Sequence, residues 1–282
     1  MNAKGYIIEK YNNMNNAYTS RRYIEEGTKK GINFEIIGAY DTIDTGDRLI
    51  NRGKVLEKAA FVINRHKYGN IKDKLAALGE VSVNSVEVIN EYVDKSRQRG
   101  LVSPCMTAPL SLLAYSGTPF ERIEAAVGLP FIAKGLCGSQ GNMVYLIENT
   151  AQYSELCQKY KDTELLFQEY ISTSCGRDVR MLSVRGEVTG CMQRTAKSGF
   201  KANFALGADV CGYPVDNDIK RIAADIYEQT KADVLGIDLL FGKDGYVFCE
   251  INVTPGIEGI EKATGCNAAA AVTALGGLCN EH

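Results

Sequence analysis

The chain has 282 residues, a formal net charge of −2, 45 % apolar and 23 % charged residues, and nine cysteines against two histidines. The balanced charge leaves no electrostatic footprint for nucleic acid or an anionic membrane. An odd cysteine count without a C-x-x-C pair argues against a disulfide framework or a zinc cluster and for reduced thiols in the cytoplasm. No apolar run is long enough to span a bilayer, and the polar start "MNAKGYIIEKYNN" does not read as a signal peptide. A Ser-His or Cys-His hydrolase would rest on His66 alone, since His282 is terminal.

In chain order, "GYIIEK" and "NFEIIGAY" predict strands around the helix "SRRYIEEGTKKG", which Gly31 ends. That is a βαβ unit. "AAFVINR", "NIKDKLAALGE" and "EVSVNS" add strand, helix and strand. Residues 1–88 are therefore expected to form a small parallel α/β domain. "SVEVINEYVDKSRQRG" has a Ser cap, helical spacing and a Gly stop, which predicts a helix over 86–99. "LPFIAKGL" and "NMVYLIE" predict strands and "NTAQYSELCQKY" a helix, in a second unit taken as 89–165. "ELLFQEYIS" predicts a strand at the border of the third unit, 166–282, which is dominated by the strands "DVRMLSVRGEVTGCMQRTA", "DVLGIDLLF" and "YVFCEINV". One amphipathic helix, "DNDIKRIAADIYEQTKA", interrupts them, and a weak alanine-rich helix follows.

The most informative stretch is the hairpin of residues 234–253 around "GKDG". Alternation places Tyr246, Phe248, Glu250 and Asn252 on one face and Val247, Cys249, Ile251 and Val253 on the other. A two-residue Lys-Asp turn would set Asp238 opposite Cys249 and drive its carboxylate into the apolar face. A three-residue loop, Lys243-Asp244-Gly245, sets Asp238 opposite Glu250, Leu239 opposite Cys249, and gives Gly245 the positive φ that glycine tolerates. Two carboxylates and an amide oxygen would then converge. Oxygen-only ligands suit Mg²⁺ completed by substrate phosphates. The plain alternative is an exposed acidic sheet face.

"AKGLCGSQGN" offers Lys134 at a strand end, then Ser139, Gln140 and Gly141 in a glycine-bearing turn where backbone N–H groups can approach an anion. It is not a Walker loop. Arg180, Arg194, Lys197 and Lys201 recur on the strands that follow and suit phosphate or carboxylate groups; a solvated strand face is the alternative. Asp178 either pairs with its arginine neighbours or holds a ribose hydroxyl.

Together these segments resemble the ATP-grasp superfamily, in its RimK-like branch of glutamate and amino-acid ligases. "GIDLLFGKDGYVFCEINVTPGIEGIEKATG" is similar to that branch's metal hairpin, and "LPFIAKGLCGSQGNMVYLIE" to its lysine strand and phosphate loop. "LLFQEYISTSCGRDVRMLSVRGEVTGCMQRTAKSGFKANF" is similar to its adenine hinge and substrate-arginine strands. The resemblance implies an α/β fold: an N-terminal parallel βαβ domain and two α+β subdomains clasping ATP. It implies two Mg²⁺ ions (Mn²⁺ as a substitute) on Asp238, Glu250 and Asn252, with Lys134 on the α/β-phosphates and Ser139 to Gly141 over the β/γ end. Glu169 and Tyr170 would border the adenine, Asp178 the ribose, and Lys201 and Asn203 the phosphates. Arg194 would steady an acyl phosphate, with Lys134 and Arg180 as further catalytic groups. The family often carries Asp-Lys at the start of the helix placed at 86–99; here that start reads "VEVINEY", and Asp94-Lys95 comes later.

The implied activity is ATP- and Mg²⁺-dependent ligation of a small-molecule or peptide carboxylate to an amine, glutamate or another amino acid. Its rivals are a kinase on the same scaffold and a non-catalytic ATP-binding protein. Substrate choice is expected to rest on the first domain and the loops holding Arg65, His66 and Arg180. A homo-oligomer is expected, with no nucleic-acid or membrane partner.

Overall fold

The computed structural model describes residues 2–138, 143–202, 204 and 207–280. The chain opens on a four-stranded parallel sheet in the order Ile32–Gly38, Ala3–Glu9, Ala59–Asn64, Gly79–Val83. The helices Tyr18–Lys29 and Ile71–Ala76 make the crossovers that parallel pairing requires. Gly31, at φ 73°, turns the chain out of the first helix as expected. A short antiparallel sheet, Thr42–Asp44, Leu49–Asn51 and Lys54–Val55, fills a stretch in which the sequence showed no periodicity.

The second sheet is antiparallel, ordered Val144–Ile147, Phe131–Gly135, Glu164–Glu169, Ser111–Tyr115. A boundary at 165/166 would cut the strand Glu164–Glu169, all of which belongs to this sheet. Phe131 and Ala133 turn to a core with Ile123, Tyr153, Leu156 and Phe167, while Ile132 and Lys134 turn to the opposite side, into a cleft. This is the alternation a strand imposes.

The third sheet has six strands: Asp209–Gly212, Glu187–Thr195, Arg177–Val184, Val234–Phe241, Tyr246–Asn252 and Met106–Thr107. All pair antiparallel except the last, which is parallel to its neighbour. The helix Asn217–Thr230 packs Ile219, Ile222, Ala223 and Ile226 beneath it. Its cap Asp216 accepts from the Ile219 amide at 2.8 Å and from the Tyr246 hydroxyl at 2.9 Å, tying the helix to the hairpin.

The helix predicted over 86–99 is shorter, Val86–Tyr92, and a single 3₁₀ turn at Arg97–Gly100 follows it. Ser85 caps its start as expected. The Asp94 carboxylate accepts from the Ser96 amide at 2.8 Å, a local bond that competes with helix continuation.

Candidate active site

The hairpin delivers the expected pairing by a different route. Asp238 lies opposite Glu250 and Ile237 opposite Ile251, and Gly245 has φ 132°. The turn, however, is the two-residue one: the Gly242 amide donates to the Gly245 carbonyl at 2.8 Å, and Leu239 pairs with Phe248 rather than Cys249. A β-bulge at Cys249 restores the register. The face assignment is corrected with it. Phe248 joins Ile237, Leu239 and Ile251 in the core, and Cys249 turns to the cleft, its Sγ 4.0 Å from Lys134 Nζ.

Register then writes a row of charges across the third sheet. Arg180 pairs with Asp238, which pairs with Glu250; one row along, Asp178 pairs with Arg194. Arg180 binds both oxygens of Asp238 at 2.5 Å. Arg194 grips Asp178 at 2.6 and 2.7 Å and reaches Asp238 at 3.0 Å. The arginines expected to meet phosphate or an acyl phosphate are therefore engaged with carboxylates, and Asp178 is engaged by a guanidinium rather than left open to a ribose. Burial pushes the Asp178 carboxyl up to about 6 against the pull of Arg194. For Asp238 burial acts in the same sense, but two guanidiniums outweigh it and hold the group below the usual carboxylate range.

Two lysines complete the arrangement, one on a motif displaced from its usual place and one unforeseen. Lys95 lies 3.5 Å from the Glu250 carboxylate; its amide donates to the Leu136 carbonyl at 2.9 Å and its Nζ to the Gly138 carbonyl at 3.3 Å. The late Asp94-Lys95 pair thus reaches the site and is stitched to the start of the glycine turn. Lys67, from the first domain, donates to the Asn252 amide oxygen at 2.8 Å. Burial, helped by Lys95, lowers its pKa to about 8. Its signal in the sequence was the basic run Arg65-His66-Lys67 at the carboxyl end of a parallel strand, where α/β sheets place ligands. Arg65 itself is held by Glu9 at 2.7 Å and by the Pro255 carbonyl at 3.0 Å. His66 is buried between Tyr40 and Tyr68.

A cleft of about 360 Å³ runs between the second and third sheets. Lys95, Lys134, Glu169, Tyr170, Asp178, Arg194, Lys201, Asp238 and Glu250 line it, so most of the predicted set comes together there. Glu169 accepts from the Leu110 amide at 3.3 Å, and the Tyr170 and Phe200 rings meet edge-on at 6.4 Å. Lys201 sits over the rings of Tyr145 and Phe200. Arg180 and Asn252 lie beyond the lining of this cleft, toward the first domain. Ser139, Gln140, Gly141 and Asn203 lie outside the described residues.

The donors suit a hard cation. Asp238, Glu250 and Asn252 offer oxygen only. Asp238 accepts three guanidinium contacts and, with about four lone-pair positions on a carboxylate, keeps one for a metal. Among the described residues no three His, Cys, Asp or Glu side chains stand together as a ready metal site. The amide of Asn252 and oxygens from a bound phosphate would have to complete a shell, as Mg²⁺ prefers.

Comparison with known proteins shows the family. The model of the RimK-like ATP-grasp domain matches residues 101–275. A probable alpha-L-glutamate ligase of Parasynechococcus marenigrum is 29 % identical over 266 residues, covering 88 % of this chain and 57 % of the relative. This chain thus spans little more than half the length of the first relatives it matches. A probable alpha-L-glutamate ligase of Pseudomonas fluorescens is 30 % identical over 267 residues, 89 % of both chains. The ATP-grasp ligase PsnB, solved with a minimal precursor, Mg and ADP, superposes with a TM-score of 0.71 at 15 % identity, over 98 % of this chain and 96 % of that one. The RiPP-associated ATP-grasp ligase of Chryseobacterium gregarium, in complex with ADP and a leader and core peptide, gives 0.69 at 17 %, over 100 % and 98 %.

Proposed function

The chain belongs to the RimK-like ATP-grasp family, and from that premise we propose that it is an ATP- and Mg²⁺-dependent carboxylate–amine ligase. The observation that carries the reading is the facing pair Asp238 and Glu250, beside Asn252, at a cleft that also holds Lys134 and Lys95. The relatives' naming and the peptides bound by the neighbours favour an amino acid, glutamate foremost, joined to a peptide or small acid.

ATP lies between the second and third sheets. Tyr170 and Glu169 border its base, and Lys134 and Lys95 meet its phosphates as point charges. Asp238, Glu250 and Asn252 would hold Mg²⁺, in two ions, which would supply charge neutralisation at the transferring phosphoryl group. A substrate carboxylate oxygen attacks the γ-phosphorus, the bond to the bridging oxygen breaks, and ADP leaves. The amine then attacks the acyl carbon, phosphate departs, and the nitrogen gives up a proton. No protein nucleophile is required. The chain positions and neutralises, with Arg180 and Arg194 keeping Asp238 ionised in a buried place.

The test is to supply ATP, Mg²⁺, L-glutamate and a panel of short peptides, and to follow ADP release and product mass. Wild type should form an amide. Glu250→Gln should lose about 10²-fold or more in turnover, the usual effect of removing one electrostatic group, while its circular dichroism stays unchanged. Near-normal ADP release by Glu250→Gln would overturn the ligand assignment, and a stable phosphoester product would make the protein a kinase.

A further inference from the structure

Arg65, His66 and Lys67 follow the strand Ala59–Asn64 at the carboxyl edge of the parallel sheet. The first two are spent on structure. The Arg65 amide donates to the Ile8 carbonyl at 2.9 Å, and its guanidinium bridges Glu9 and the Pro255 carbonyl, one on each side of the domain junction. The His66 ring sits edge-on to Tyr40 at 5.4 Å and to Tyr68 at 6.3 Å. The backbone that carries Lys67 is therefore braced from both domains.

Lys67 is half-buried, and its Nζ bonds an amide, that of Asn252 at 2.8 Å. Among the described residues it makes no salt bridge. Glu250 attracts it through space but is bonded to Lys95, Asp238 is bonded by Arg180 and Arg194, and Glu9 by Arg65. An amide oxygen satisfies a hydrogen bond but does not neutralise a charge. A half-buried cation beside further cations is costly unless an anion joins it. A lysine present only to balance the carboxylates would be found on one of them.

We propose that Lys67 seats the carboxylate of the acid substrate, the group that is phosphorylated, and so acts as a catalytic residue contributed by the first domain. The proposal rests on the ligase reading and goes beyond it. Asn252 closes the metal set just beyond the cleft lining, so a carboxylate on Lys67 would approach from the side of the metal set, away from the base end at Tyr170. One carboxylate oxygen bonds Lys67 and the other is free to attack the γ-phosphorus in line. Tyr40 and Tyr68, 58 % and 40 % exposed, flank the His66 ring next to Lys67 in the chain.

The test is a binding cycle on the full chain in the presence of MgADP, read by calorimetry. The probes are N-acetyl diglutamate and its fully amidated analogue. A hydrogen bond to a charged partner predicts that wild type prefers the acid by about 10- to 150-fold. Lys67→Met should bind acid and amide alike, still bind MgADP, and keep its melting temperature. Lys67→Arg, which retains the charge, should recover part of the preference. Should Lys67→Met fail to fold, Lys67→Gln takes its place in the cycle. A wild type that does not distinguish acid from amide overturns the proposal, as does a Lys67→Met that keeps the preference. An intact preference with no amide product on turnover would overturn the ligase reading and leave the Lys67 seat standing.

Discussion

At the scale of single residues, the site is a chequerboard of opposite charges laid down by strand pairing. Asp178 faces Arg194, and Arg180 faces Asp238, across adjacent strands. The sequence made the residue types legible, because Asp178 and Arg180 alternate with apolar neighbours and Asp238 stands out in an apolar run. It did not make the partners legible. Which arginine meets which carboxylate depends on the register of three strands, one pair of which shifts at Leu182/Ser183. Lys67 and Lys95 come from segments more than 130 residues before the hairpin, and no local pattern announces such a meeting. The two buried aspartates respond to pH in opposite ways. Asp178, with one guanidinium, has its pKa raised from 3.8 to about 6 in the folded chain. Between those values the native state keeps a proton that the unfolded chain has lost. Its contribution to stability is whole below about pH 4 and falls away as pH rises through about 6. The lowered pKa of Asp238 acts below 3.8, where protonation removes its contribution. Asp178→Asn should therefore make stability fall less steeply, or rise, between pH 4 and 6. Urea midpoints measured across that window would check it, and an unchanged slope would refute the assignment.

At the scale of elements, most of the strand and helix order was readable, and the misses have local causes. Strands of three residues such as Thr42–Asp44 and Leu49–Asn51 are too short to display a period. The helix Phe120–Val127 did carry a signal, with Phe120, Ile123 and Val127 on one side and Gly128 at its end. The hairpin is the instructive case. Alternation alone cannot reveal a bulge, because one extra residue exchanges the faces beyond it. The expectation of a three-residue loop found the correct partner for Asp238 by placing the extra residue in the turn instead of at Cys249. This has a direct consequence. Without Cys249, the two-residue turn would run straight into the observed pairs: Leu239 with Phe248, Asp238 with Glu250, Ile237 with Ile251. Deleting Cys249 should therefore leave far-UV circular dichroism native-like and lower the melting temperature by only a few degrees, since a core face is not inverted. Deleting Phe248 should unfold the sheet, because it removes a core side chain that is 4 % exposed and breaks the pairing. Equal damage from the two deletions would argue that the bulge, not the register, holds the hairpin.

At the scale of the whole molecule, the first and third sheets share a core and the second keeps its own. Ile7, Tyr23, Phe34 and Phe61 of the first domain pack in one cluster with Leu182, Met192, Ile257, Ile260 and Val272. The core under the second sheet draws on residues between Ile123 and Phe167. Asn84 locks the shared body. It is 1 % exposed, and its amide nitrogen donates to the carbonyls of Val234 at 2.6 Å and Val253 at 2.8 Å. Its oxygen accepts from the Val234 amide at 2.8 Å. Asn84→Ala leaves three buried backbone groups without partners, which should cost about 3 kcal/mol or more. The loss should not be uniform. Native proteins open in cooperative units, and contacts that cross between units decide which amides share a fate. In Asn84→Ala, hydrogen exchange should quicken together at Ile7 and Ile63 in the first sheet and at Leu235 and Ile251 in the third. The amides of Ala133 and Phe167, in the second sheet, should keep their wild-type opening free energies. That outcome would make the second sheet a separate body able to move against a rigid pair, closing on nucleotide from one side of the cleft. If protection at Ala133 and Phe167 falls by the same amount, the chain opens as one unit, and closure would have to come from its loops instead.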